Sequence, residues 1–84
     1  MLNKYLVEFA GTAFLLYVIV ATGNAMAIGA ALVIGILLGG KMSGAHFNPA
    51  VSVMMVAAGK LPQKELVPYI IAQVLGGLTA LELS

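Results

Sequence analysis

No cysteine occurs in the 84-residue chain, which removes disulfides and thiolate metal ligands from consideration. Charge is nearly as scarce: four basic and three acidic side chains, 8% of the residues, stand against 62% hydrophobic. A soluble domain this small has a large surface to cover and needs charge to stay in solution. These few side chains cannot supply it, and the mean hydropathy of +1.09 agrees. The composition therefore excludes a soluble globular domain and indicates an integral, multi-pass membrane protein. A net charge of +1 points to no nucleic-acid partner. Acid–base chemistry is equally short of material, because only Glu8, Glu65, Glu82 and His46 could serve and nothing in their spacing brings them together. The chain is read as not an enzyme, with no cofactor. His46 has no second ligand at a suitable spacing and is read as a packed, hydrogen-bonded residue rather than part of a metal site.

What is present is apolar sequence in four runs: about Tyr5–Ala21, Ala25–Leu38, Ala50–Ala58 and Leu66–Leu83. A spanning helix needs about 20 residues. With their flanks counted, the first, second and fourth runs qualify, giving spans of about 5–23, 25–41 and 64–83. The start of the first run, with Lys4 before it and Ala25–Met26–Ala27 after it, resembles a cleavable leader. Glu8 and Gly11 interrupt it and more apolar sequence follows, so it is read as a retained span. The connector Thr22–Gly23–Asn24 forces a tight hairpin. The third run makes a helix of only about 15 Å. Lys41 precedes it, and Lys60, Pro62 and Lys64 follow it. A chain that enters and leaves on one side is re-entrant, here over about residues 43–58. Irregular backbone at membrane depth survives only where protein buries it or water bathes it, so the loop implies a cavity or pore. The fold class expected is an all-α membrane protein, three transmembrane helices plus one re-entrant half-helix, as one unit over residues 1–84. This threading puts Lys4, Lys41, Lys60 and Lys64 on one side, which the positive-inside rule makes cytoplasmic, together with the N-terminus.

The polar interruption is "KMSGAHFNPAVSVMMVAAGK", Lys41–Lys60. Asn48–Pro49 is a compact helix start. The Asn side-chain oxygen accepts from an unpaired backbone N–H, and Pro suits the first helical position. Gly59, Lys60 and Pro62 form the matching stop. Capping leaves the Asn48 NH₂ group as a donor near the bilayer midplane, backed by the positive end of the half-helix dipole. A water would be attracted there and a cation repelled. Upstream, Gly44, Ala45 and His46 are expected to run extended and to offer carbonyls as a ladder of acceptors along a channel wall. Gly35 and Gly39, with Gly76–Gly77, are expected to permit close helix contact. The five methionines, including Met54–Met55, are read as packing.

"SGAHFNPAVS", Ser43–Ser52, resembles the first signature loop of the major intrinsic proteins, the aquaporin and aquaglyceroporin family. "EFAGT", Glu8–Thr12, resembles the family's first-span motif, and "PYIIAQVLGG", Pro68–Gly77, its third span. The resemblance implies an aquaporin-like half fold. Asn48, Pro49 and Ala50 would be the Asn-Pro-Ala signature, and Gly44, Ala45 and His46 the pore carbonyls. Glu8 would be the buried acid bracing the loop, an intramembrane carboxylate facing the bundle interior, with Gln73 holding the same polar core. Ile28, twenty residues before Asn48, would fall at the selectivity filter. Phenylalanine there goes with water and tryptophan with glycerol in the family, and Ile28 is neither. A permissive pore passing water and small neutral solutes is the expectation, with tetrameric assembly in the bilayer.

The family builds its pore from two inverted repeats, and only one is visible here. The second motif and the filter arginine after it are absent, so a complementary half is needed for a complete pore. A truncated N-terminal piece, a split half and a self-pairing half-channel all fit, although the lysines oppose an upside-down copy. The rival function is a non-conducting membrane interaction or assembly subunit, which would have no need of an amide donor at the midplane.

Overall fold

A lipid interior offers backbone amides no water, so an apolar chain satisfies them within helices. The computed structural model describes residues 3–84, with no strand among them. In chain order the helices are α1 (Asn3–Thr22), α2 (Ala25–Ser43) and α3 (Pro49–Ala57), then a 3-10 turn at Gln63–Glu65 and finally α4 (Leu66–Leu83). Three stretches, Lys4–Thr22, Ala25–Ser43 and Gln63–Leu83, are long and apolar enough to cross a membrane. The longest dimension of the molecule is 34 Å, close to the roughly 30 Å of bilayer hydrocarbon. The 9 residues of α3 rise only about 13 Å and cannot cross.

The α1–α2 hairpin is closed by its own polar groups. Gly23 adopts φ 55, a conformation that suits glycine, and its N–H bonds Ile19 O at 3.0 Å. Asn24 caps α2 by accepting from Ala27 N at 2.9 Å. Helix α1 is the centre of the bundle and packs against both α2 and α4. Its seam with α4 is tightest at Gly76, where a Cβ would lie 2.6 Å from the Phe9 carbonyl oxygen.

Polar contacts fix which helix ends lie together. Lys4 Nζ is 3.0 Å from Glu65 Oε2, and the Tyr5 hydroxyl donates to Glu65 Oε1, so α1 and α4 start side by side. The Tyr5 and Tyr69 rings meet edge to face, centroids 6.1 Å apart. Ser43 Oγ, at the end of α2, donates to Glu8 Oε2 at 2.7 Å. The chain therefore enters the bundle after Ser43, turns into α3 and comes back to the start of α4. Lys4, Lys41, Lys60 and Lys64 gather at one end.

Candidate functional site: the loop and its polar knot

Asn48 and Pro49 start α3, which packs against α4. Asn48 Oδ1 accepts from Ala50 N at 2.7 Å, and Pro49 occupies the first turn. Asn48 itself is exposed, and its NH₂ group makes no hydrogen bond with the described residues. At the far end Gly59 takes φ 75, with Gly59 N on Val56 O at 3.0 Å and Lys60 N on Met55 O at 2.8 Å. That pair of bonds is a Schellman stop.

The approach to Asn48 is not extended. Gly44, Ala45 and Phe47 adopt φ 89, 53 and 54, all left-handed, which corrects the expected straight ladder through Gly44, Ala45 and His46. The physical reason is Glu8. Left-handed turns let neighbouring N–H groups converge on one anion, and here His46 N and Phe47 N both donate to the Glu8 carboxylate, at 3.0 and 2.8 Å. A non-glycine residue in this region costs about 1–2 kcal/mol. The two amide bonds and the buried Phe47 ring offset it.

Glu8 is 0% exposed and is the hub of the network. Oε2 accepts from Ser43 Oγ and His46 N, and Oε1 from Phe47 N and from Gln73 Nε2 at 2.9 Å. Four donors from three segments match the acceptor-only inventory of a carboxylate. Gln73 Nε2 also donates to Ser52 Oγ at 2.9 Å. The amide orientation follows from Glu8, since a flip would set the Gln73 oxygen against the carboxylate. Ser52 Oγ also lies within hydrogen-bond distance of His46 Nδ1, at 2.8 Å. Tyr69 donates to Ser43 O at 2.7 Å and closes the knot from α4.

Phe47, 4% exposed, anchors the loop in a slot between α1 and α2. A Cβ on Gly35 would lie 2.8 Å from its ring, and one on Gly11 would overlap it. Gly35 therefore makes room for the loop rather than for a helix. Gly39, Gly76 and Gly77 do serve helix contact, with would-be Cβ atoms 2.7 Å from Val7, 2.6 Å from Phe9 O and 3.0 Å from Leu16.

Beside the start of α3 a cavity of about 340 Å³ is lined by Thr12, Leu16, Asn48, Pro49, Gln73 and residues of the later turns of α4. The structure thus brings Glu8, His46 and Gln73 together and sets Asn48 on the neighbouring cavity. Ile28 lies half-buried in the first turn of α2 and does not line this cavity. Ser43, Ser52, Phe47, Tyr69 and Thr12 carry the site as much as the residues singled out from sequence. Ser52 is the one hydroxyl in the nine-residue α3, and Thr12 follows Glu8 by four residues on the same helical face. Those were the available signals. Among the described residues no group of three His, Asp or Glu side chains is placed to hold a metal ion.

Three membrane-length helices with a short helix packed against the last of them define a polytopic all-α membrane protein of the aquaporin-like half fold. The family model "Major intrinsic protein" matches residues 21–83, and the chain belongs to that family. It is 40% identical over 95 residues to Aquaporin Z of Brucella melitensis biotype 1, covering 95% of this chain and 42% of that protein. Similarity to Glycerol uptake facilitator protein-like 6 of Lactiplantibacillus plantarum is 38% over 88 residues, covering 94% and 41%. For Aquaporin Z of Rhodopseudomonas palustris it is 40% over 93 residues, covering 93% and 39%. The chain spans about two-fifths of the length of these curated relatives. No solved structure gives a significant match.

Proposed function

We propose that the chain is one half of a membrane channel for passive transport of water and small neutral solutes such as glycerol. The observation that carries this reading is the position of Asn48. Its oxygen is committed to the α3 cap, and its amide hydrogens are left to the adjoining cavity. Water entering there offers its oxygen to the Asn48 NH₂ group and to the positive end of α3. A cation meets the same donor and the same dipole and is turned away. Carbonyls of Gly44, Ala45 and His46 accept hydrogen bonds from the moving solute, and Pro49 and Ala50 complete the signature. Glu8 and Gln73 brace the loop, which holds Asn48 still. Ile28 lines the narrow point as an aliphatic wall, giving a permissive filter. Support for the solute class comes from relatives named Aquaporin Z and glycerol uptake facilitator.

Three long helices and a half-helix do not enclose a pore, so a complementary half supplies the other side of the constriction. The N-terminus is cytoplasmic, because all four lysines lie at its end of the bundle. The same bias disfavours a second copy inserted upside down. Tetrameric assembly follows from the family resemblance alone.

The test is stopped-flow light scattering on proteoliposomes that hold this chain with a complementary C-terminal half. Osmotic water permeability rises above that of empty liposomes and is lost in Asn48→Asp, which replaces the donor with an acceptor of negative charge. Permeability equal to empty liposomes, with the pair inserted, favours a non-conducting assembly subunit instead.

A further inference from the structure

A helix ends with carbonyls that have no partner within it, and the end of α2 is where the chain leaves for the loop. Gly44 N takes up Gly40 O at 2.9 Å, and Ser43 Oγ is committed to Glu8. The Ser43 carbonyl is answered from another helix, because the Tyr69 hydroxyl of α4 donates to it at 2.7 Å. Ser43 is the last residue of α2, and Gly44 and Ala45 turn left-handed immediately after it. The direction of this carbonyl therefore sets where the loop begins. Gly44 and Ala45 are pinned on both sides, by Tyr69 at Ser43 and by Glu8 at the His46 and Phe47 amides.

Tyr69 is held in turn. It is 2% exposed, and its ring meets that of His46, centroids 5.1 Å apart, and the edge-to-face ring of Tyr5. The Tyr5 ring is itself tethered. Its hydroxyl donates to Glu65 Oε1, while Lys4 Nζ holds Glu65 Oε2 at 3.0 Å. Glu65 stands one turn before Tyr69 in the chain, so the two side chains share a face and Tyr5 engages both. We propose that Tyr69 is a positioning residue for the loop and that Tyr5, fastened by Glu65 and Lys4, is the brace that keeps Tyr69 in place. The Gly44, Ala45 and His46 carbonyls are then aimed from the lysine end of the bundle, by side chains that do not line the cavity beside Asn48. What those carbonyls do for a solute rests on the channel reading; their positioning does not.

Hydrogen–deuterium exchange on the full chain in nanodiscs tests this at the Gly44 and Ala45 amides. Tyr69→Phe keeps the ring and removes the hydroxyl. Exchange at both amides rises about fivefold, the worth of one hydrogen bond, while the middles of α1 and α2 exchange as in the parent. Tyr5→Phe removes only the bond to Glu65, yet it raises the same two amides by a smaller factor. Because the brace acts through Tyr69, the double variant exchanges no faster than Tyr69→Phe alone. Gly44 and Ala45 amides that exchange in Tyr69→Phe as in the parent overturn the proposal. So does a rise shared equally by α1 and α2, which marks general loosening. A double variant whose two factors multiply overturns the brace. Conduction does not enter the measurement, so its failure leaves the permeability test standing.

Discussion

On the lysine side of the bundle, α1, α2, α4 and the loop bury Glu8, Ser43, His46, Phe47, Ser52 and Gln73. Toward the Gly23 hairpin, no residue from Ala13 to Ala30 is buried. The hairpin half is the more apolar of the two, so hydrophobicity does not explain the difference. In a bilayer, apolar side chains gain little by leaving lipid tails for one another, and association rests on close packing and interhelical hydrogen bonds. The lysine side has polar atoms that must find partners and glycines that admit a ring. On the hairpin side the polar groups of Thr22 and Asn24 bond only within the turn and the helix ends beside it, no glycine admits a ring, and α1 and α2 present Ile19, Val20, Met26, Val33 and Ile34 outward. The polar contacts between helices are concentrated in one half of the molecule's height.

Four sets of substitutions break or sharpen this contrast. Glu8→Ala has the largest expected effect, because it strips four donors of their acceptor at once. Breaking a buried charged network from one side costs about 3–5 kcal/mol, read as the loss of folded chain in a denaturing-detergent titration. Phe47→Ala comes next. Transfer of the ring from lipid contributes little, so the cost is mainly the empty slot, roughly 2 kcal/mol at about 24 cal/mol per Å³. It appears in the same titration and as faster proteolysis of residues 44–48. Gly76→Ala sets a methyl group against the Phe9 carbonyl and costs about 1–2 kcal/mol by overpacking, with loosened α1–α4 contact visible in cross-linking. Ile19→Ala and Val20→Ala, on the open half, stay within about 0.5 kcal/mol. A hairpin-side effect as large as that of Glu8→Ala would erase the distinction.

Much of this was legible in the sequence. The apolar runs set the three long helices to within a few residues, and Asn48–Pro49 with Gly59–Lys60 marked both ends of α3. The 3-10 turn at Gln63–Glu65 was missed, because Lys64 and Glu65 pass equally for the start of a span. The loop backbone was missed for a sharper reason. Ala45 and Phe47 carry no preference for positive φ, and only the three-dimensional pull of Glu8 on two successive amides puts them there. Gly35 pointed to close packing, but that its neighbour is Phe47, 12 residues away in sequence, depends on how the loop folds back; Gly11, against the same ring, was not singled out for packing. Glu8 stood out as a carboxylate in an apolar run, and Gln73 came from the family resemblance. Ser43 and Ser52, which complete their bonds, are too ordinary a residue type to single out without the fold.

The central claim is that the loop over residues 44–48 is already locked in place by contacts within this chain. Hydrogen–deuterium exchange on the chain alone in nanodiscs measures it most directly, at the His46 and Phe47 amides. The hydrogen bonds to Glu8 predict that both are protected by orders of magnitude over an unstructured loop, and that Glu8→Ala abolishes the protection. Exchange at His46 and Phe47 as fast as at a free loop, with α1 and α4 still protected, would contradict it.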